Sequence, residues 1–257
     1  MRPHVVKQQC FKYNDGFPDR VAPSVARLSV PGVMGVRLAQ PASLHRIIPF
    51  ALYMAFVVLE DVLGRLGWPP AQLRWLYPVK AAAVLAALAW LWRHYGELRR
   101  FDLGARGVFT AVAAGALVLV LWLTLGAAWM TVGEPTGFDP GPGGAIDPLL
   151  VAVRLAGGAL LVPVMEELFW RSFLLRWLHN PDFLRVDPAH VRLLAVVVTV
   201  LLFGVEHNRW LAGVAAGGVY CVLYMRSRSL WSAIVAHGVT NGLLGAWIIF
   251  TGQWSYW

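Results

Sequence analysis

Three polar groups interrupt the longest apolar stretches of this chain, and they are the residues that could do chemistry. The first is Pro163-Val164-Met165-Glu166-Glu167-Leu168-Phe169-Trp170-Arg171, two adjacent carboxylates and a guanidinium in the middle of the apolar run 149–178. An Asp, Lys or Arg at the centre of a membrane span costs roughly 2.5–3.5 kcal/mol on insertion scales, so such groups face a protein interior or a wet cavity and mark function. Glu167 and Arg171 are four positions apart and share a helix face, where they can neutralise each other. Glu166 points about 100° away from Glu167. It has no basic residue three or four positions along on either side, and an unpartnered carboxylate in apolar surroundings suits a general base. The second group, Phe203-Gly204-Val205-Glu206-His207, closes the next run, with Glu206 as an oddity directly before the histidine. The third is His237-Gly238-Val239-Thr240-Asn241, whose His237 and Asn241 lie one helical turn apart and point the same way. Taken singly, a buried histidine is more often a hydrogen-bonded structural residue than a catalyst.

These residues are carried by seven apolar runs, at 47–63, 76–92, 108–130, 149–178, 193–207, 211–225 and 230–250. With 58% apolar and 14% charged residues, an ordinary soluble fold is excluded. The expected fold is all-α: a polytopic transmembrane helical bundle of about seven hydrophobic segments, or eight, with a short hairpin made by the fifth and sixth. Residues 1–46 are polar, basic and rich in Pro and Gly, and read as a disordered cytoplasmic tail; Met34 could be the true translation start. A single transmembrane domain would fill 47–257. The net charge of +8 does not point to nucleic acid, because the basic residues sit between the apolar runs. Arg93, Arg99, Arg100, Arg106, Arg176, Arg185, Arg192, Arg226 and Arg228 fall on the tail's side. Arg65, Arg74 and Arg209 fall on the other, where the loop 131–148 carries Glu134, Asp139 and Asp147. That bias puts the N-terminus in the cytoplasm and the C-terminus outside, as for a bacterial-type plasma membrane protein. Lys80 and Arg154 lie near span ends, where long side chains snorkel, and read as inert. Cys10 and Cys221 offer neither a disulfide framework nor metal-ligand spacing.

At 1.5 Å per residue from the inner ends, Glu166 lies about 15 Å deep, His237 about 12 Å, Asn241 about 18 Å and His207 about 21 Å, one central band. The fifth and sixth runs are short enough for their Asn208-Arg209-Trp210 turn to stop below the outer surface, which is tolerated where backbone lines a cavity. Gly213, Gly217 and Gly218 would let helices approach closely beside it.

Glu-Glu-x-x-x-Arg (Glu166, Glu167, Arg171), Phe-x-x-x-His (Phe203, His207) and His-x-x-x-Asn (His237, Asn241), in that order on successive hydrophobic segments, resemble the CAAX protease and bacteriocin-processing (Abi) family of intramembrane endopeptidases. The protease-like core spans 149–250, and within the family the likeness is to members associated with exosortase systems. The resemblance implies that Glu166 takes a proton from a water shared with His207, that this water attacks a peptide carbonyl, and that His237 and Asn241 donate to the oxyanion. Glu167, Arg171 and Phe203 would support them, and Pro163 could kink the span at the site. His207, His237 and Glu166 could instead hold a divalent metal such as zinc, so a metal-dependent mechanism stays open. The implied partners are the lipid bilayer and a membrane-associated or lipidated peptide. A non-enzymatic membrane scaffold or immunity protein, and a proton-coupled transporter, are the rival readings.

Overall fold

The computed structural model describes residues 40–133, 137–138, 140–141 and 145–257. The expected tail lies outside them up to residue 39, as do Glu134 and Asp139 of the acidic loop. Among the described residues the regular structure is helical throughout, with no strand. We number the principal helices α1 Pro41–Arg65, α2 Leu76–Leu91, α3 Ala105–Thr124, α4 Pro148–His179, α5 Leu193–Val205, α6 Trp210–Ser227 and α7 Leu230–Thr251. Five stretches are long and apolar enough to cross a membrane: α1, Pro70–His94, α3, α4 and α7. The α5–α6 pair is the short hairpin expected from the sequence, and α5 has 13 residues.

Helix α1 begins six residues before the apolar run does. Pro41 supplies the preset φ of a first helical position, and the polar residues after it belong to the protein interior. Arg46 is 1% exposed and pairs with Glu97 at 2.7 Å. Its Nε donates to Ser172 Oγ at 2.9 Å, and Arg176 Nη2 donates to the same oxygen at 2.8 Å. One network therefore ties α1, the segment after α2 and the lower half of α4. Burial alone would raise the Glu97 carboxyl; the Arg46 charge, with hydrogen bonds from Arg46 and Ser172, outweighs it and holds Glu97 below the ordinary carboxylate range.

The third run extends to 130, whereas α3 stops at Thr124. Arg209 causes the break. Its Nη1 donates to the Trp122 carbonyl at 3.2 Å and lies where a Cβ on Gly126 would stand, capping the end of the helix with a cation.

Glycines permit the close contacts around the site. A Cβ on Gly115 would stand 2.4 Å from the Ala236 carbonyl oxygen, so α3 and α7 touch through backbone. Gly213 packs on Gly204 and Gly217 on Phe203, closing the α5–α6 hairpin. Gly218 has no such neighbour within 4 Å and is not part of that contact.

Candidate active site

Helix α4 starts where Asp147 caps it, accepting from the Leu149 and Leu150 N–H groups ahead of Pro148. Its middle is not a plain α-helix. Two π-helical stretches, Gly157–Leu161 and Leu168–Leu175, flank the six residues Val162–Glu167 that carry Pro163, Glu166 and Glu167. π-Helical turns are rare and concentrate at functional sites. Here the first one takes up the hydrogen bonding disturbed by Pro163, and its Gly158 carbonyl accepts from Asn241 Nδ2 at 2.9 Å.

Glu166, His207, His237 and Asn241 all line one cavity of about 230 Å³, together with Phe203. The four come from α4, the end of α5 and α7, as the depth arithmetic expected. Glu166 is 6% exposed, and its Oε2 has no hydrogen-bond partner among the described residues. His207 donates from Nδ1 to the Phe203 carbonyl at 2.7 Å. A carbonyl can only accept, so the neutral ring carries its lone pair on Nε2. Trp122 and Phe203 box the imidazole, the former edge-on at 5.3 Å.

His237 is held differently. Its Nδ1 meets Glu167 Oε1 at 2.9 Å, and Arg171 Nη1 donates to that same oxygen at 3.1 Å. Glu167 and Arg171 are both fully buried, so the local neutralisation read from their spacing is present, with His237 as a third member. Arg171 also reaches α6 by donating to the Gly217 carbonyl at 3.3 Å, and its guanidinium lies 4.3 Å over the Phe203 ring. Tyr220 stacks on His237 at 5.0 Å and donates to Thr240 Oγ1, which donates in turn to the Gly115 carbonyl. The ring is thus clamped on one nitrogen and one face, leaving Nε2 for the cavity.

Tyr220, Thr240 and Trp122 are site residues that the sequence reading missed. A tyrosine three positions after Gly217 inside an apolar run was the available signal for the first, and Thr240 lay inside a motif already singled out. Arg154 is a correction. It does not snorkel away but lines the cavity, its guanidinium 4.2 Å over the Tyr77 ring. Among the described residues no three His, Cys, Asp or Glu side chains are grouped closely enough to hold a metal ion. Cys221 is buried and free, as packing requires.

A second cavity of about 420 Å³ shares Trp122, His207, Tyr256 and Trp257 with the first and is otherwise lined by loop and C-terminal residues such as Gly133, Asn208 and Ser255. It forms a vestibule at the end of the bundle where α3 and α7 end and α4 begins.

Residues 148–243 match the family model described as type II CAAX prenyl endopeptidase Rce1-like. The match runs from the first residue of α4 past Asn241 and so contains all three motifs. No curated protein and no solved structure matches the chain.

Proposed function

We propose that this chain, whose residues 148–243 match the type II CAAX prenyl endopeptidase Rce1-like family model, hydrolyses a peptide bond inside the membrane by a metal-free, carboxylate-activated water. The observation that carries this reading is the convergence of Glu166, His207, His237 and Asn241 on one cavity from three separate helical segments. Glu166 takes a proton from the water while the lone pair on His207 Nε2 accepts its other O–H, orienting the oxygen toward the scissile carbonyl. The C–O bond forms, and the carbonyl oxygen becomes an oxyanion. His237, held at Nδ1 by Glu167, presents its Nε2 side to it, and Asn241 presents the amide hydrogen not already given to Gly158. Removing one such donor from a protease costs about 2.7–4 kcal/mol of transition-state stabilisation. Collapse breaks the C–N bond, the proton held by Glu166 passes to the departing amine, and the new carboxylic acid gives its remaining proton to water to become a carboxylate.

The protein is an integral membrane protein, with five helices long and apolar enough to span. We place it in a bacterial-type plasma membrane with its N-terminus cytoplasmic, because the arginines gather at the end of the bundle away from the vestibule. Cleavage of co-expressed membrane-anchored or lipidated peptides, followed by mass spectrometry, tests the proposal. The wild type should release fragments that Glu166→Gln does not. Equal fragments from both, or an unaltered phenotype in Glu166→Gln and His237→Ala cells, would favour the scaffold reading.

A further inference from the structure

The cavity has an asymmetric distribution of charge that the catalytic groups do not account for. Its inner part carries one carboxylate in the lining, Glu166, and behind it Glu167 is already paired with Arg171. At the end toward the start of α4 stands Arg154, whose guanidinium lies between the Tyr77 ring at 4.2 Å and the Phe138 ring at 5.2 Å. Among the described residues it has no carboxylate partner. Lys80 is near enough to repel it and is itself paired with Glu60 at 3.8 Å. Two cations therefore face one carboxylate at this end. Stacking on aromatic faces satisfies the guanidinium plane and leaves its N–H edge free, the edge that takes a carboxylate in two parallel hydrogen bonds.

We propose that Arg154 is the binding site for a carboxylate of the peptide substrate, holding it at the outer end of the cavity while the scissile bond lies at Glu166. This rests on the endopeptidase reading and assigns the side of the cleft to which the substrate's negative charge is directed. Of the lining side chains, Glu166 disfavours an anionic peptide end and Arg154 attracts it, so the pair orients the chain before contact. Arg154 and Glu166 are twelve positions apart on α4. That is at most about 18 Å of helix, shortened by the π-helical Gly157–Leu161, which an extended peptide covers in roughly five residues. The carboxylate recognised is the C-terminal group or an Asp or Glu side chain at that distance from the cleaved bond.

The test uses the full-length protein in detergent micelles with a pool of synthetic peptides, each made as the C-terminal acid, as the C-terminal amide and with Asp and Glu replaced by Asn and Gln. Cleavage by wild type, Arg154→Gln and Arg154→Lys is read by mass spectrometry. The wild type should prefer one carboxylate-bearing form by roughly tenfold or more in kcat/KM, mostly through KM. Arg154→Gln should lose that preference, and Arg154→Lys should keep part of it. Loss of preference for the acid over the amide identifies the C-terminal group, and loss of discrimination at Asp or Glu identifies the side chain. Each preference is a ratio within one protein, so partial misfolding of a variant does not move it. An identical preference in Arg154→Gln overturns the assignment. So does a rate that follows anionic lipid added to the micelles and ignores the peptide's charge, which would make Arg154 a headgroup site. Cleavage of no peptide by the wild type would instead sink the endopeptidase reading, and this assignment with it.

Discussion

Replacing Glu167 with Gln removes one negative charge from a site where that charge serves a guanidinium and an imidazole. Arg171 and Glu167 are both 0% exposed, and the single oxygen Oε1 accepts from Arg171 at 3.1 Å while meeting His237 Nδ1 at 2.9 Å. Glutamine keeps the shape and can still accept one hydrogen bond, but it leaves the guanidinium buried without a counter-charge. Breaking a buried pair in this way costs about 3–5 kcal/mol, whereas removing both partners together is often close to neutral. Glu167→Gln should therefore destabilise the protein by several kcal/mol, Arg171→Met should do likewise, and the double variant should lose clearly less than the sum. A coupling of about 2 kcal/mol or more is expected for groups in direct contact. Unfolding by SDS in mixed micelles, followed by tryptophan fluorescence, measures all three. The double variant should regain stability without regaining activity, because a neutral amide then stands where the Glu167 carboxylate faced His237. A Glu167→Gln loss below about 1 kcal/mol, or strictly additive losses, would refute the reasoning that this triad holds α4, α6 and α7 together.

Three further outcomes follow from particular contacts. Glu97 has its folded carboxyl held below the ordinary value of 4.5. Its contribution is therefore present above the unfolded pKa and is lost as pH falls through the depressed folded one. Wild type should lose stability on acidification below pH 4.5 more steeply than Glu97→Gln, and parallel pH curves would contradict this. Gly115→Ala should push α3 from α7, since its Cβ would stand 2.4 Å from a backbone oxygen, and cost about 1–3 kcal/mol. Gly218→Ala, with open space around it, should be tolerated; equal melting of the two variants would argue against close α3–α7 packing. Because among the described residues no three His, Cys, Asp or Glu side chains are grouped closely enough to hold a metal ion, dialysis against a chelator should leave cleavage unchanged. A loss that zinc restores would contradict the metal-free mechanism.

The helical runs were legible because a bilayer demands long apolar segments, and that signal survives without any tertiary information. Their ends were less so. Pro41–Arg46 looked like tail because Arg46 and Ser43 are polar, and only the distant Glu97 and Ser172 show why they are buried. The run to 130 hid the end of α3 for the same reason, since Arg209 is 83 positions from Gly126. In the site, Glu166, His207, His237 and Asn241 could be placed at one depth from helical rise alone. Rise says nothing of rotation, which is why the Glu167–His237 contact and the π-helical turns around Glu166 could not be seen. Arg154 was misread because a basic residue near a span end ordinarily points to the interface; here Tyr77 and Phe138 hold it over the cavity instead.

The account turns on Glu166 and His207 gripping one water, and groups that act as a unit are non-additive in their effect on rate. The direct measurement is kcat for Glu166→Gln, His207→Ala and the double variant on one cleaved peptide in ¹⁸O-labelled water. The account predicts a loss of about 10²–10⁴ in each single variant, a double variant no worse than the poorer single, and one ¹⁸O in the new carboxylate released by the wild type. Losses that multiply in the double variant, or a product carrying no label, would contradict it.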